Sequence, residues 1–377
     1  MSATRGYFDH NATTPMTAAA RAAWLETEER HWHNPSGLYR EAGGAGRVLG
    51  DLRAELADRF GIDDPERVVF TSGATEANNA VVRHLAESVP GRIAIPEVEH
   101  PSVAVAVEGC FGKGRTCFLP VDWGTGAVDV AKLAEGISRG GIGAVSAMAA
   151  NNETGALQPW REIAALCREA RIPFHTDAAQ WIGKMPLAGL GEVGYVTGSG
   201  HKFGGGKGVG FLILPEEEPG GPFHGFVGGP QEHGRRAGTE NLPAIAAMVA
   251  ALLERDDEAL GVLAERQAPF RDAFEARIAE ELGARVLAEK GPRLWNTSMF
   301  VLPHGKNVKW LARLSQRGFA VSTGSACSAG KGNPSAVMMA MGLDYEEMGR
   351  VLRVSGGAGT TEEEWSDLAG AVLGGLG

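Results

Sequence analysis

The chain has 377 residues, 44% hydrophobic and 22% charged, with a formal net charge of −10. That profile suits a globular protein of about two domains with ample apolar sequence for a large core. The acidic balance argues against a nucleic-acid binder, and no apolar run reaches the ~18 residues of a membrane span.

The N-terminal stretch MSATRGYFDHNATTP lacks the basic, apolar, small-residue order of a signal peptide. Residues 1–15 are too short for a domain and are expected to join one of the layers formed further on. From there, short apolar runs alternate with helical patterns. RVVFT (67–71), RIAIP (92–96), AVSAMAA (144–150), RIPFHTD (171–177), VGYVTGS (193–199) and VGFLIL (209–214) read as strands. They lack a clean two-residue alternation, as expected of strands covered on both faces. TEANNAVVRHLAES (75–88) and PWREIAALCREA (159–170) read as helices, with Pro159 in the first turn of the second. The alternation predicts an α/β layer on a mostly parallel sheet, whose ligand site lies at the carboxyl ends of the strands. A long charged helical stretch over 241–282 then leads into a smaller α+β part. Cys110, Cys117, Cys167 and Cys327 show no C-x-x-C or Cys/His metal spacing, so they are expected to be reduced thiols of a cytoplasmic protein.

Several junctions carry candidate chemistry. In VVFTSGATEANN (68–79) a strand ends and a helix begins near Thr75, offering free backbone N–H groups and a positive helix end to an anion. A plain capped helix explains the same residues. Asp177, in FHTDAAQ, falls at a strand end, where it is either a helix cap or a site residue. In SGHKFGGGKGVG (199–210), Lys202 lies among glycines that let backbone pass close to something bulky. His100 follows a strand and can stack on a flat ring or move protons. Arg353, inside the apolar run RVLRV, needs an anionic partner, whether a substrate carboxylate or an internal salt bridge. Cys327 lies among Ser, Gly and Ala in STGSACSAG (322–330), with little apolar sequence to pack it. An anion-binding turn, a carboxylate at a strand end and a glycine-flanked lysine, in that order, are what pyridoxal phosphate requires. Its phosphate needs N–H groups and hydroxyls, its ring nitrogen a carboxylate, and its aldehyde a lysine for a Schiff base.

With YFDHNATTP (7–15), HNPSG (33–37), EHPSV (99–103), ANNETGALQP (150–159), GGPQEHGRRAGTEN (228–241) and NTSMF (296–300), these stretches span nearly the whole chain. In this order it resembles the pyridoxal-phosphate-dependent cysteine desulfurases, NifS/IscS-like members of the class V aminotransferase superfamily. The resemblance implies the fold-type-I architecture: a large domain over 16–260 with a mostly parallel seven-stranded sheet, and a small domain from 1–15 and 261–377. It implies a homodimer that converts L-cysteine to L-alanine and leaves the sulfur on an enzyme cysteine for an acceptor protein, such as an iron–sulfur scaffold or a tRNA-thiolation protein. By the same resemblance Lys202 is the Schiff-base lysine, Cys327 the persulfide cysteine, His100 the ring-stacking histidine and Asp177 the partner of the pyridine nitrogen. Gln180 and Asn152 match residues near the ring and its 3-oxygen. Ala74, Thr75, Ser199 and His201 match phosphate contacts, Thr239 matches a phosphate contact from the other subunit, and Arg353 matches the substrate-carboxylate arginine. Two departures stand out: GGKG (205–208) replaces the family's GPKG, and Gly37 and Tyr39 stand where Ser and His are frequent. The rival readings are a selenocysteine lyase, a C–S lyase or an aminotransferase of the same fold, and a catalytically dead binding scaffold.

Overall fold

The computed structural model describes residues 5–324 and 335–375. The N-terminal segment begins with a two-residue strand, β1 (Gly6–Tyr7). The large sheet follows with β2 (Val68–Thr71), β3 (Arg92–Pro96), β4 (Thr116–Leu119), β5 (Ile142–Ser146), β6 (Phe174–Asp177), β7 (Tyr195–Ser199) and β8 (Gly210–Ile213). Its spatial order is β2-β8-β7-β6-β5-β3-β4. β8 runs antiparallel to both neighbours, whereas the pairs from β7 across to β4 are parallel. The reason is length. Residues 200–209 between β7 and β8 cannot make the long crossover that parallel pairing demands, so the chain turns straight back. That short return carries Lys202.

Val69, Ala77, Val81, Leu85, Ile93, Val103 and Val107 form the core between one sheet face and the helices Ala74–Ser88 and Pro101–Phe111. A larger core on the opposite face takes in residues of the helices Arg40–Arg59, Trp160–Ala170 and Leu242–Leu253. A second, smaller sheet, ordered β12-β10-β9, comprises β9 (Arg285–Val286), β10 (Thr297–Val301) and, after β11 (Phe319–Ala320), β12 (Val351–Ser355). Its core joins Phe8, Phe274, Phe300, Trp310, Phe319, Leu352 and Trp365. The N-terminal segment does join a layer: β1 pairs with β11, and Phe8 lies in the small-sheet core.

The observed elements differ from the sequence expectation in places. The run 144–150 is a strand only to Ser146, after which the chain leaves the sheet toward the site. β4 was not anticipated: it is an edge strand of four residues with Phe118 exposed, so it carries no buried-strand signature. The stretch 241–282 breaks into Leu242–Leu253 and Asp257–Leu282, because the Asp256 side chain caps a new helix by accepting from Ala259 N–H. Pro159 stands just before its helix, at the cap position. Among the described residues, no helix is long and apolar enough to cross a membrane.

Candidate active site

A cavity of about 580 Å³ opens where β2, β3, β5, β6 and β7 end, and the first turn of the Ala74–Ser88 helix forms one wall. Gly73 precedes that helix with φ +152°, and no side chain caps it. A Cβ built on Gly73 would project to within 3.4 Å of Ser199 Oγ, so the missing side chain leaves a cradle between helix end and hydroxyl. Ala74, Thr75, Ser199 and His201 all line this end. Gly210 lets the two segments approach, since a Cβ there would stand 2.5 Å from Gly73 Cα. The helix end and its N–H groups favour a phosphate-like anion.

Asp177 closes β6 and is buried. Its Oδ2 accepts from Asn78 Nδ2 at 2.7 Å and its Oδ1 from the Ala179 N–H at 2.9 Å. Asn78 is itself held by the Thr197 hydroxyl, which donates to its Oδ1 at 2.6 Å, so the carboxylate has a fixed orientation. His100 caps the helix Pro101–Phe111, its Nδ1 accepting from the Ser102 N–H at 3.1 Å. Nδ1 therefore carries no proton. Burial lowers the pKa of His100, with the Asp177 charge opposing and Lys202 adding to the shift, which favours the neutral ring with its proton on Nε2.

Lys202 lines the cavity, and its Nζ donates to the carbonyls of Asn11 at 2.6 Å and Ala12 at 3.0 Å. Burial, helped by the charge of Arg353 and opposed by Asp177 and Asp9, lowers its pKa to about 8. His201 is brought to about 4 by burial and by Lys202 and Lys207. Gln180 lines the cavity and donates through Nε2 to Asn11 O at 2.9 Å. Asn152 also lines it, and its carbonyl accepts from Arg353 Nη1 at 3.0 Å.

Arg353 lies in β12, pointing toward the site but outside the cavity lining. Its Nη2 pairs with Asp9 Oδ1 at 2.6 Å, and its buried Nε has no hydrogen-bond partner among the described residues. The internal salt bridge thus exists in this state. Thr239 is exposed and lies outside this cavity; it lines a second cavity of about 100 Å³ that shares Ser72 and Gly208 with the first. Cys327 lies outside the described residues. No cysteine among the described residues lines the cavity, and burial pushes the Cys167 thiol up to about 12.

Four residues without an assigned role in the sequence also shape the site: Asp9, Asn11, Asn78 and Lys184. Lys184 is buried, donates to Asn11 Oδ1 at 3.1 Å and to Gln180 Oε1, and burial sets its pKa well below the usual lysine range. Asn78 carried one weak signal, an amide deep in a helix where packing alone favours an apolar residue.

The donor set fits pyridoxal phosphate: an uncapped helix end with hydroxyls for the phosphate, a fixed carboxylate, and an amine whose free form is accessible near neutral pH. A family model described as "Aminotransferase class-V" matches residues 6–368. A cysteine desulfurase of Rhodobacter capsulatus is 36% identical over 372 residues, covering 96% of this chain and 93% of that one. A solved NifS-like protein from Rickettsia africae ESF-5 superposes with a TM-score of 0.86 at 26% identity, covering 97% of this chain and 98% of that one. A structure titled "SspA in complex with cysteine" gives 0.78 at 28% identity, with 93% and 98% covered.

Proposed function

The chain belongs to the class V aminotransferase family, whose members depend on pyridoxal phosphate, and from that premise we propose that it is a cysteine desulfurase. L-cysteine is converted to L-alanine, and the sulfur passes to Cys327 as a persulfide. The observation that carries this reading is the single cavity in which Lys202, Asp177, His100 and the uncapped helix end at Gly73 converge. The cofactor supplies a conjugated electron sink next to the substrate α-carbon.

The protein supplies the rest. The N–H groups at Ala74 and Thr75, with Ser199 and His201, would hold the phosphate. Asp177 keeps the ring nitrogen protonated, since an opposite charge in a water-poor site favours the cationic form. Lys202 would hold the cofactor's aldehyde, and its lowered pKa suits its amine to moving a proton at the substrate α-carbon near neutral pH. His100, in the cavity wall with its proton on Nε2, would pack against the bound cofactor and could give or take a proton there. Asn152 and Gln180, in the cavity wall, would orient the ring, and Arg353 would turn its guanidinium from Asp9 to the substrate carboxylate. The Cys327 thiolate then attacks the substrate sulfur: an S–S bond forms, the C–S bond breaks, and its electron pair stays with the substrate carbon, which takes up a proton to give alanine.

This reading makes the active unit a cytoplasmic homodimer, with Thr239 reaching the phosphate of the partner's site and the persulfide passing to an acceptor protein. The exposure of Thr239 beside Ser72 and Gly208 supports that assignment. The test is incubation with L-cysteine without reductant, measuring alanine and the mass of the peptide carrying Cys327. One added sulfur per alanine is expected, and neither from Cys327→Ser. Free sulfide with pyruvate and no sulfur on the protein indicates a C–S lyase acting by β-elimination instead, and 3-mercaptopyruvate, which keeps the sulfur, indicates a transaminase.

A further inference from the structure

Glu153 takes no part in the cavity wall, yet its side chain is almost wholly buried. Its neighbour Asn152 does line the cavity. Asn151 builds the turn that holds both: its Oδ1 accepts from the N–H groups of Glu153 at 2.9 Å and Thr154 at 2.8 Å, and its Nδ2 donates to Val98 O at 3.0 Å. The backbone of Glu153 is therefore fixed. Its carboxylate meets two groups. Ser335 Oγ donates to it, 2.9 and 3.1 Å from its two oxygens. Against its Oε2 lies Gly324, with φ +99°, where a Cβ would stand only 2.8 Å from that oxygen. Gly324 and Ser335 are the described residues on either side of positions 325–334, the stretch that carries Cys327.

A buried carboxylate is costly unless its lone pairs are used. Burial raises the pKa of Glu153, while the Ser335 hydroxyl and the Arg353 charge oppose the shift. The hydrogen-bond pattern defines the roles. Ser335 has one hydroxyl proton, which goes to Glu153, while its oxygen takes the Met338 N–H at 3.3 Å. Glu153 must accept. The flank before Cys327 is tied in as well: Ser322 and Arg353 exchange backbone hydrogen bonds of 3.0 and 2.7 Å, and Arg353 Nη1 reaches Asn152 O.

We propose that Glu153 is a positioning residue for sulfur transfer: its carboxylate binds Ser335 and packs against Gly324 beside the turn whose Asn152 lines the cavity, and so places both flanks of the Cys327-bearing stretch relative to the substrate. This rests on the reading of Cys327 as the sulfur carrier. Glutamine at 153 can still accept from Ser335 through its amide oxygen, whereas alanine cannot.

The test separates the two halves of the reaction in the holoenzyme. With L-cysteine in D2O and no reductant, α-deuterium in recovered cysteine reports the half that needs Lys202 but not Cys327. Sulfur on the Cys327 peptide in a single turnover reports the other half. Glu153→Ala and Ser335→Ala should keep exchange close to wild type while persulfide formation slows at least about tenfold, the scale expected from misplacing a reacting group. Glu153→Gln should recover most of the rate, and Gly324→Ala, which drives a methyl into the carboxylate, should behave like Glu153→Ala. Unchanged persulfide formation in Glu153→Ala and Ser335→Ala overturns the inference. So does an equal fall in exchange and persulfide formation, which would make Glu153 part of the general architecture. Absence of sulfur on Cys327 in the wild type would instead remove the functional reading, and this inference with it.

Discussion

Capture of the cofactor by the apoprotein should titrate with Lys202, because only the free amine attacks an aldehyde. Burial and the charge of Arg353 bring this lysine from 10.5 to about 8. At pH 7 about one chain in ten then carries the free amine, against about one in three thousand for an ordinary lysine, roughly a 300-fold difference in capture rate. The rate should rise about tenfold per pH unit below pH 8 and level off above it. The assay mixes apoprotein with pyridoxal phosphate at pH 6–10, traps with borohydride and measures the tag on the Lys202 peptide, with α-N-acetyl-lysine as the control for the aldehyde's own titration. Arg353→Met should move the midpoint upward, since it removes the largest charge acting against the protonated amine. A midpoint near 10.5, or one that ignores Arg353, would refute the reasoning.

The same shift is a statement about stability, and its sign is opposite to that of a salt-bridged lysine. Below pH 8 both folded and unfolded chains carry the proton, and the folded state bears the full cost of the buried charge. Between about 8 and 10.5 the unfolded state binds more protons, so stability rises with pH. Above that window both forms are neutral and the cost is gone. The apoprotein should therefore gain about 3 kcal/mol from Lys202 across the window. Measured against Lys202→Met, that gain is a change in the difference between two denaturation curves, which cancels the other titrating groups.

The other expectations concern neighbouring residues. Asp177→Asn should slow α-proton exchange in cysteine at least about 100-fold while the protein stays folded, and near-normal exchange would exclude a role at the ring nitrogen. Arg353→Lys keeps a charge but cannot span Asp9 and Asn152 O as the guanidinium does, so the KM for cysteine should rise by the equivalent of about 2–5 kcal/mol; an unchanged KM counts against carboxylate binding. Mixing Lys202→Ala and Thr239→Ala chains should restore activity above either parent if sites are shared between subunits, because one site of each mixed dimer is intact. A fully active monomer by light scattering removes that reading.

The fold was legible where its signal is local. Apolar runs bounded by Gly, Pro and charge became strands, and both Asp177 and the Lys202 loop sit at strand ends, as the sheet rule requires. The signal failed where local pattern carries no information. Edge strand β4 has an exposed Phe118 and no buried face to write a pattern. The split of residues 241–282 at Asp256 depends on one cap within a continuous helical composition. The site divides in the same way. A lysine among glycines or a carboxylate at a strand end is conspicuous in sequence, whereas Asn78, Lys184 and Glu153 acquire much of their meaning from partners up to 182 positions away. The two fates open to Arg353, internal pair or substrate contact, could not be separated by sequence, because Asp9 lies 344 positions from it.

Asn11 shows why such residues are hard to read and why they matter. Its main-chain oxygen accepts from Lys202 Nζ and Gln180 Nε2, filling both lone pairs. Its side-chain oxygen takes Lys184 Nζ and Asn296 Nδ2, and its amide donates to Thr297 Oγ1 at 2.8 Å and Asn152 O at 3.2 Å. Its N–H reaches Ser355 Oγ at 3.0 Å. Every polar atom of one short residue is thus committed, on one side to the lysine loop of the large sheet and on the other to β10 and β12 of the small one. The Lys202 amine is parked on two carbonyls, and its neutral form keeps two N–H groups for them, so deprotonation weakens these contacts without removing either acceptor and frees the nitrogen lone pair to react. The cavity wall is therefore set by an eleventh residue whose own neighbourhood in the sequence, Asp-His-Asn-Ala-Thr, shows none of these partners.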